Sequence, residues 1–345
     1  MQFFKNTHID FIGKRKMFYI VSITITVLGI VVALVRGVQF GIDFEGGTEA
    51  AFEFSKTVQT DEIRKAVVAG GFEGAEIKSY GQENQFLVRV KNDPNQAKGA
   101  IDPGEGIQKL SDRLKEALVK AFPGNAITLL KVDNIGPKVG KELRTKAIYA
   151  ILASIVAILL YIAFRFEWVY GLGAVIALVH DVLVAFAAAV VFNGLFGLNL
   201  EMNQGQLAAF LTVVGFSIND TVIIFDRIRE NKKVHRGENL LMLMNRSINE
   251  TLPRTINTSA TVVTVLLVMV LFAGDVLQGF AFTMLIGILT GTYSSIYIAS
   301  SFVVDTMIAR KHLDPNAERE FVTKRDRALA DRKASSPASA KARAI

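Results

Sequence analysis

The sequence predicts a polytopic α-helical membrane protein with six transmembrane helices and an external α+β ferredoxin-like domain between helices 1 and 2. Three observations carry this. The 345 residues are 51% hydrophobic and only 21% charged, against about 25% charged in an average soluble chain, and mean hydropathy is +0.35. Six apolar stretches approach the ~20 residues that a helix needs to cross a bilayer. Between the first two, short strands and amphipathic helices alternate.

The first span, 17–35, is uncharged and flanked by Lys14, Arg15, Lys16 and Arg36. It is too long for a signal-peptide core and no small-residue cleavage site follows, so retention is expected. The others are 147–164, 169–192 (interrupted by His180 and Asp181), 207–225 (interrupted by Asn219 and Asp220), and 280–304. The fifth apolar run, Ala260 to Ala273, has only 14 residues. A full crossing, 253–273, must therefore begin at Pro253, a favourable first helical residue. That start draws Arg254, Thr255, Asn257, Thr258, Ser259 and Thr261 toward the membrane. Lipid cannot satisfy such groups, so this helix end is expected to be buried in the bundle.

Orientation follows from the basic residues. Connections 193–206 and 274–279 have no Lys or Arg, the stretch from the end of span four through Arg254 carries seven, and the tail after Val304 carries ten. The positive-inside rule then makes 1–16, 226–252 and 305–345 cytoplasmic, and 36–146 external. These loops also account for the net charge of +7 and the pI near 9.4 without a nucleic-acid partner. From about Asp314 the tail (ending KASSPASAKARAI) cannot bury a core and is expected to be disordered. Contact of its basic residues with membrane lipid is the lesser reading.

In the external segment, Glu49–Phe54 reads as a strand and Thr60–Ala69 as a helix with Asp61 and Glu62 in its first turn. Glu76–Tyr80 and Gln85–Val90 read as a hairpin through Gly81, Glu83 and Asn84. Gly106–Ala121 has Ile107, Leu110, Leu114 and Leu118 at helical spacing, and Ile127–Val132 closes the domain. The β-α-β-β-α-β order is that of a split βαβ, ferredoxin-like domain.

The absence of cysteine excludes a thiol nucleophile, disulfides and Cys-ligated metals. There is no HExxH, GxSxG or P-loop, and no cofactor or metal is expected. The chemistry rests on intramembrane charge. Asp220 lies five residues before the end of span four, about 7 Å into the membrane at 1.5 Å per residue. A central Asp costs roughly 2.5–3.5 kcal/mol even on lenient scales. It therefore needs a partner, a water path or a proton, and Arg254 is the natural partner. The functional reading is a carboxylate that loads and releases a proton; the structural alternative is a static salt bridge. Asn219 fits a helix–helix hydrogen bond better than a relay. His180 and Asp181 point about 100° apart on a helix, so they are not expected to line one narrow path. Structural bonding is favoured over a relay for both. An aspartyl-protease dyad of Asp181 and Asp220 is disfavoured, because Arg254 would oppose proton sharing. Gly287, Gly291 and Ser295 form a small-xxx-small packing face, and GIDFEGGT (Gly41 to Thr48) reads as a strand-to-strand corner.

Five pieces together resemble the SecD/SecF family of bacterial protein-export membrane proteins, and within it the SecF type. They are GIDFEGGT, IGPKVGKELRTKA (Ile135 to Ala147), GFSINDTVIIFDRIREN (Gly215 to Asn231), NETLPRTINTSAT (Asn249 to Thr261) and GTYSSIYIAS (Gly291 to Ser300). The likeness runs over some 300 residues. It implies an RND-type subunit, not an enzyme, in the bacterial inner membrane, with a periplasmic domain at 36–146. Its implied partners are SecD, the SecYEG translocon, YajC and YidC, and a translocating preprotein. The family's essential carboxylate falls on Asp220, its arginine on Arg254, and its corner motif on Asp43, Phe44, Gly46 and Gly47. The implied mechanism protonates Asp220, weakens its pairing with Arg254, and lets span four repack against SecD. The tilt then passes through span one and the corner to the domain, which limits backsliding of the exported chain. A structural subunit without proton coupling and half of an RND-type small-molecule transporter are the alternatives.

Overall fold

The computed structural model describes residues 7–80, 84–90, 107–235, 237–273 and 275–311. The expected tail disorder and the turn at Gly81 and Glu83 lie outside them. Among the described residues, six helices are long and apolar enough to cross a membrane. They are α1 (Arg15–Arg36), α5 (Pro137–Arg165), α6 (Trp168–Phe192), α7 (Gln204–Val234), α8 (Leu240–Phe272) and α9 (Asp275–Ser294). A π-helical turn, Ser295–Ala299, carries α9 into α10 (Ser300–Lys311). Such turns recur where a helix is adapted for function.

Two expectations are corrected here. The connection placed at 226–252 is helical over most of its length, because α7 runs on to Val234 and α8 begins at Leu240. The fifth long helix accordingly does not start at Pro253, which lies inside α8. Its N-terminus is set by Asn239, whose side chain accepts from the Leu241 and Met242 amides at 2.9 and 3.3 Å. Leu241, Met244, Ile248 and Leu252 are buried on one face at helical spacing. That tertiary packing overrides the proline, which in a helix interior costs about 3 kcal/mol or more. The first turns of α8 also hold the chain ahead of α1. Asn245 Oδ1 accepts from the Phe11 and Ile12 amides at 3.0 Å each, and Asn249 Oδ1 accepts from the Ile9 amide at 2.9 Å.

The external domain is a four-stranded antiparallel sheet, β1 (Gly47–Phe54), β2 (Glu76–Ser79), β3 (Gln85–Val90) and β4 (Ile127–Ile135), in the order β2-β3-β1-β4. Helices α3 (Thr60–Ala69) and α4 (Ile107–Ala121) complete the ferredoxin-like split βαβ arrangement. Ala50, Phe52 and Val88 on one sheet face pack with Ile63, Val67, Leu114 and Leu118 of the helices. Alternation along the strands places Glu49, Ala51, Leu87 and Arg89 on the other face, turned toward the membrane part. The corner before β1 is a helical turn, α2 (Ile42–Glu45), and not a strand-to-strand bend. Gly46 (φ 80°) and Gly47 (φ 150°) then take backbone conformations that side chains disfavour. Gly140 of α5 packs so closely that a Cβ there would lie 2.9 Å from the Gly46 nitrogen.

Candidate functional site

Asp220 sits midway along α7 and is 1% exposed. Its polar neighbours are the Thr292 hydroxyl on α9 and the Arg254 charge on α8. Among the described residues, neither carboxylate oxygen completes a hydrogen bond. The hydroxyls around it explain why. Thr292 directs its single O–H to the Ile288 carbonyl at 3.0 Å, and it meets Ser259 at 2.7 Å. Its donor is thus spent before it reaches the carboxylate. Thr255, one residue from Arg254, is also buried with an unpartnered hydroxyl.

Arg254 itself is exposed in the isolated chain, as are Asn257, Thr258 and Thr261. Their spacing of three and four residues makes one polar stripe along α8. Only Thr255 and Ser259 of this polar helix end turn into the bundle, which corrects the expectation that the whole end is buried. Asn219 is likewise exposed. Among the described residues it makes no hydrogen bond across to another helix, contrary to the role expected for it.

Asp181 on α6 contrasts with Asp220. It is fully buried and accepts from Ser217 of α7 at 2.6 Å and Ser294 of α9 at 2.7 Å. His180 Nδ1 lies 3.0 Å from its other oxygen, so the two neighbours do meet despite their angular separation. Asp181 does not touch Asp220; it binds Ser217, three residues away on the same helix. The α7–α9 contact is tight throughout. A Cβ on Gly287 would fall 2.2 Å from Val213 Cγ2, and one on Gly291 3.1 Å from Ser217 Cβ. One turn on, Ser295 meets Thr221 at 2.9 Å.

At the end of the bundle that meets the α+β domain, Asp43 Oδ2 accepts from the Gln204 amide at the start of α7 at 2.9 Å. Phe44 is buried against α5 and α6 residues such as Ala147 and Ala189. The corner therefore sits directly on the helix that carries Asp220. Sequence reading missed Ser217, Thr292 and Ser294. The dense hydroxyl run from Thr290 to Ser295 was the available signal.

Six membrane-length helices, a carboxylate buried midway along one of them and an α+β domain whose corner bonds the start of that helix define a multi-pass membrane protein. Comparisons give the particular family. The profile described as "Protein export membrane protein SecD/SecF, C-terminal" matches residues 114–309, and the "SecD/SecF GG Motif" matches 31–58. The chain is 38% identical over 305 residues to protein translocase subunit SecF of Rhodothermus marinus, covering 88% of this chain and 95% of that one. It is 35% identical over 317 residues to that of Pseudomonas aeruginosa, covering 92% and 97%. Among solved structures it resembles SecDF of Thermus thermophilus, described as a translocon-associated membrane protein, with TM-score 0.75 and 32% identity. That match covers 89% of this chain but only 40% of the SecDF chain. A SecDF structure in a super-membrane-facing form gives TM-score 0.65. The chain belongs to the SecD/SecF protein-export family, as a translocase subunit of the SecF type.

Proposed function

We propose that this subunit, assembled with a SecD partner, uses the proton-motive force to drive late steps of preprotein translocation. The observation that carries the reading is Asp220, buried on α7 without a hydrogen bond, with Arg254 near it but not in contact. A buried carboxylate left unsatisfied costs several kcal/mol as an anion. It is relieved in two ways, by closing onto Arg254 or by taking a proton, and these are two different packings of α7 against α8. Alternation between them is a proton-driven switch. One charge crossing 100 mV supplies about 2.3 kcal/mol.

The exposed polar stripe of Arg254, Asn257, Thr258 and Thr261, with Asn219 on α7, cannot face lipid cheaply. SecD supplies the missing wall, which fits the 40% coverage of the fused SecDF chain. The membrane is the bacterial cytoplasmic one, with both termini inside and the ferredoxin-like domain in the periplasm. SecYEG, with YajC and YidC, is the setting in which the domain meets the emerging chain.

The test is Asp220→Asn in the complex, with preprotein export followed in vesicles with and without an imposed proton gradient. Loss of the gradient-dependent component, with assembly intact, is expected. A full response to the gradient in this variant would reduce the subunit to a scaffold.

A further inference from the structure

The sheet face turned toward the membrane carries a charged cluster that the proton site does not use. Arg89, next to last in β3, is 7% exposed. It pairs with Glu49 of β1 at 3.1 Å and Glu76 of β2 at 3.3 Å, its cross-strand neighbours on either side. Its shortest contact leaves the domain, reaching Glu201 at 2.6 Å. Glu201, 5% exposed, belongs to the outer connection between α6 and α7, three residues before α7 begins. Lys78 of β2 pairs with the other Glu201 oxygen. Two basic groups of the domain thus converge on one buried carboxylate of the membrane part. A buried ion pair with one partner removed is strongly destabilised, so such a clasp holds or opens as a unit.

Further bonds fix the same helix end. Phe40 bridges Met202, the Gly41 amide donates to the Met202 carbonyl at 2.9 Å, and the Met202 amide donates to the Gln39 carbonyl at 2.9 Å. Asp43 occupies the first free amide of α7. A cavity of about 170 Å³ lined by Asp43, Glu49, Arg89, Lys131 and Glu201 lies beside the clasp. It has room for several waters at about 30 Å³ each, and among the described residues Arg89 Nε has no hydrogen-bond partner.

We propose that the Glu201 clasp on Arg89 and Lys78 joins the external domain to α7, so that a shift of α7 at Asp220 moves the domain as one body. Asp220 lies 16 residues from the start of α7, about 24 Å along a stiff helix. The path through span one is then not the working link. The inference rests on the proton-coupling reading for its functional half only.

The test places spin labels at Lys65→Cys in α3 and Leu195→Cys in the α6–α7 connection, both exposed sites in a chain with no native cysteine. The chain is assembled with a cysteine-free partner in lipid nanodiscs. One-body movement predicts a narrow distance distribution that Asp220→Asn leaves unshifted and Glu201→Gln broadens. In vesicles, Glu201→Gln should lose the gradient-dependent part of export while the complex still forms. A distribution that stays narrow in Glu201→Gln overturns the proposal, since packing of α2 on α5 would then suffice to hold the domain. Broadening with an intact gradient response overturns the coupling role. If Asp220→Asn export still responds to the gradient, the proton reading fails, and the distances alone decide the clasp.

Discussion

Asp181 and Asp220 are both buried carboxylates near the middle of the bundle, on adjacent helices, yet their surroundings are opposite. Asp181 has Ser217, Ser294 and His180 within hydrogen-bond distance. Asp220 has none. Burial alone does not mark a working group; an account of donors and acceptors does. The satisfied carboxylate ties α6, α7 and α9 together. The unsatisfied one has stabilisation still to gain, and that makes it responsive to a proton or to the movement of an arginine.

The sharpest way to break this contrast is to remove both charges and compare stability. Asp181→Ala removes the shared acceptor of the buried Ser217 and Ser294 hydroxyls and the partner of His180, at about 1–3 kcal/mol for each buried donor left unpaired, and should lower recovery of folded protein by size-exclusion chromatography. Asp220→Asn should be recovered normally and fail only in gradient-dependent export. If Asp220→Asn proves the less stable of the two, the contrast is wrong. Ser294→Ala removes one hydrogen bond to Asp181 and should cost about 1.5–3 kcal/mol, seen as a lowered melting temperature with export coupling retained. Gly287→Val inserts atoms where Val213 already stands and should cost about 1–3 kcal/mol by overpacking. Here the loss should appear equally with and without the gradient. The smallest effect is expected for Asn219→Ala. Its exposed position predicts a change within about 0.5 kcal/mol in the isolated chain, so any larger loss seen only in the complex would place SecD against α7.

The six long helices and the β-α-β-β-α-β order were legible because they depend on composition and period, which are local properties. Thr60–Ala69 and Gln85–Val90 have the bounds their patterning predicts. The helical stretch of α8 before Pro253 was not legible. The proline argued for a helix start, and only packing of Leu241, Met244 and Ile248 against the bundle decides otherwise. The His180–Asp181 contact was missed because the angle between Cβ directions does not limit how far two side chains can bend toward each other. Glu201 gave no local signal beyond being the single acidic residue in a connection without basic ones.

By itself the sequence determined the membrane class, the external domain's order and the two charges, Asp220 and Arg254, that a bilayer makes costly. Those follow from solvation, which each residue carries wherever it sits. Only the tertiary structure decided which carboxylate is satisfied, which polar face of α8 is left open, and that Arg89 and Lys78 meet Glu201 ahead of α7. Each of these depends on partners more than 30 residues away in the chain, brought within hydrogen-bond range by packing that no local pattern specifies.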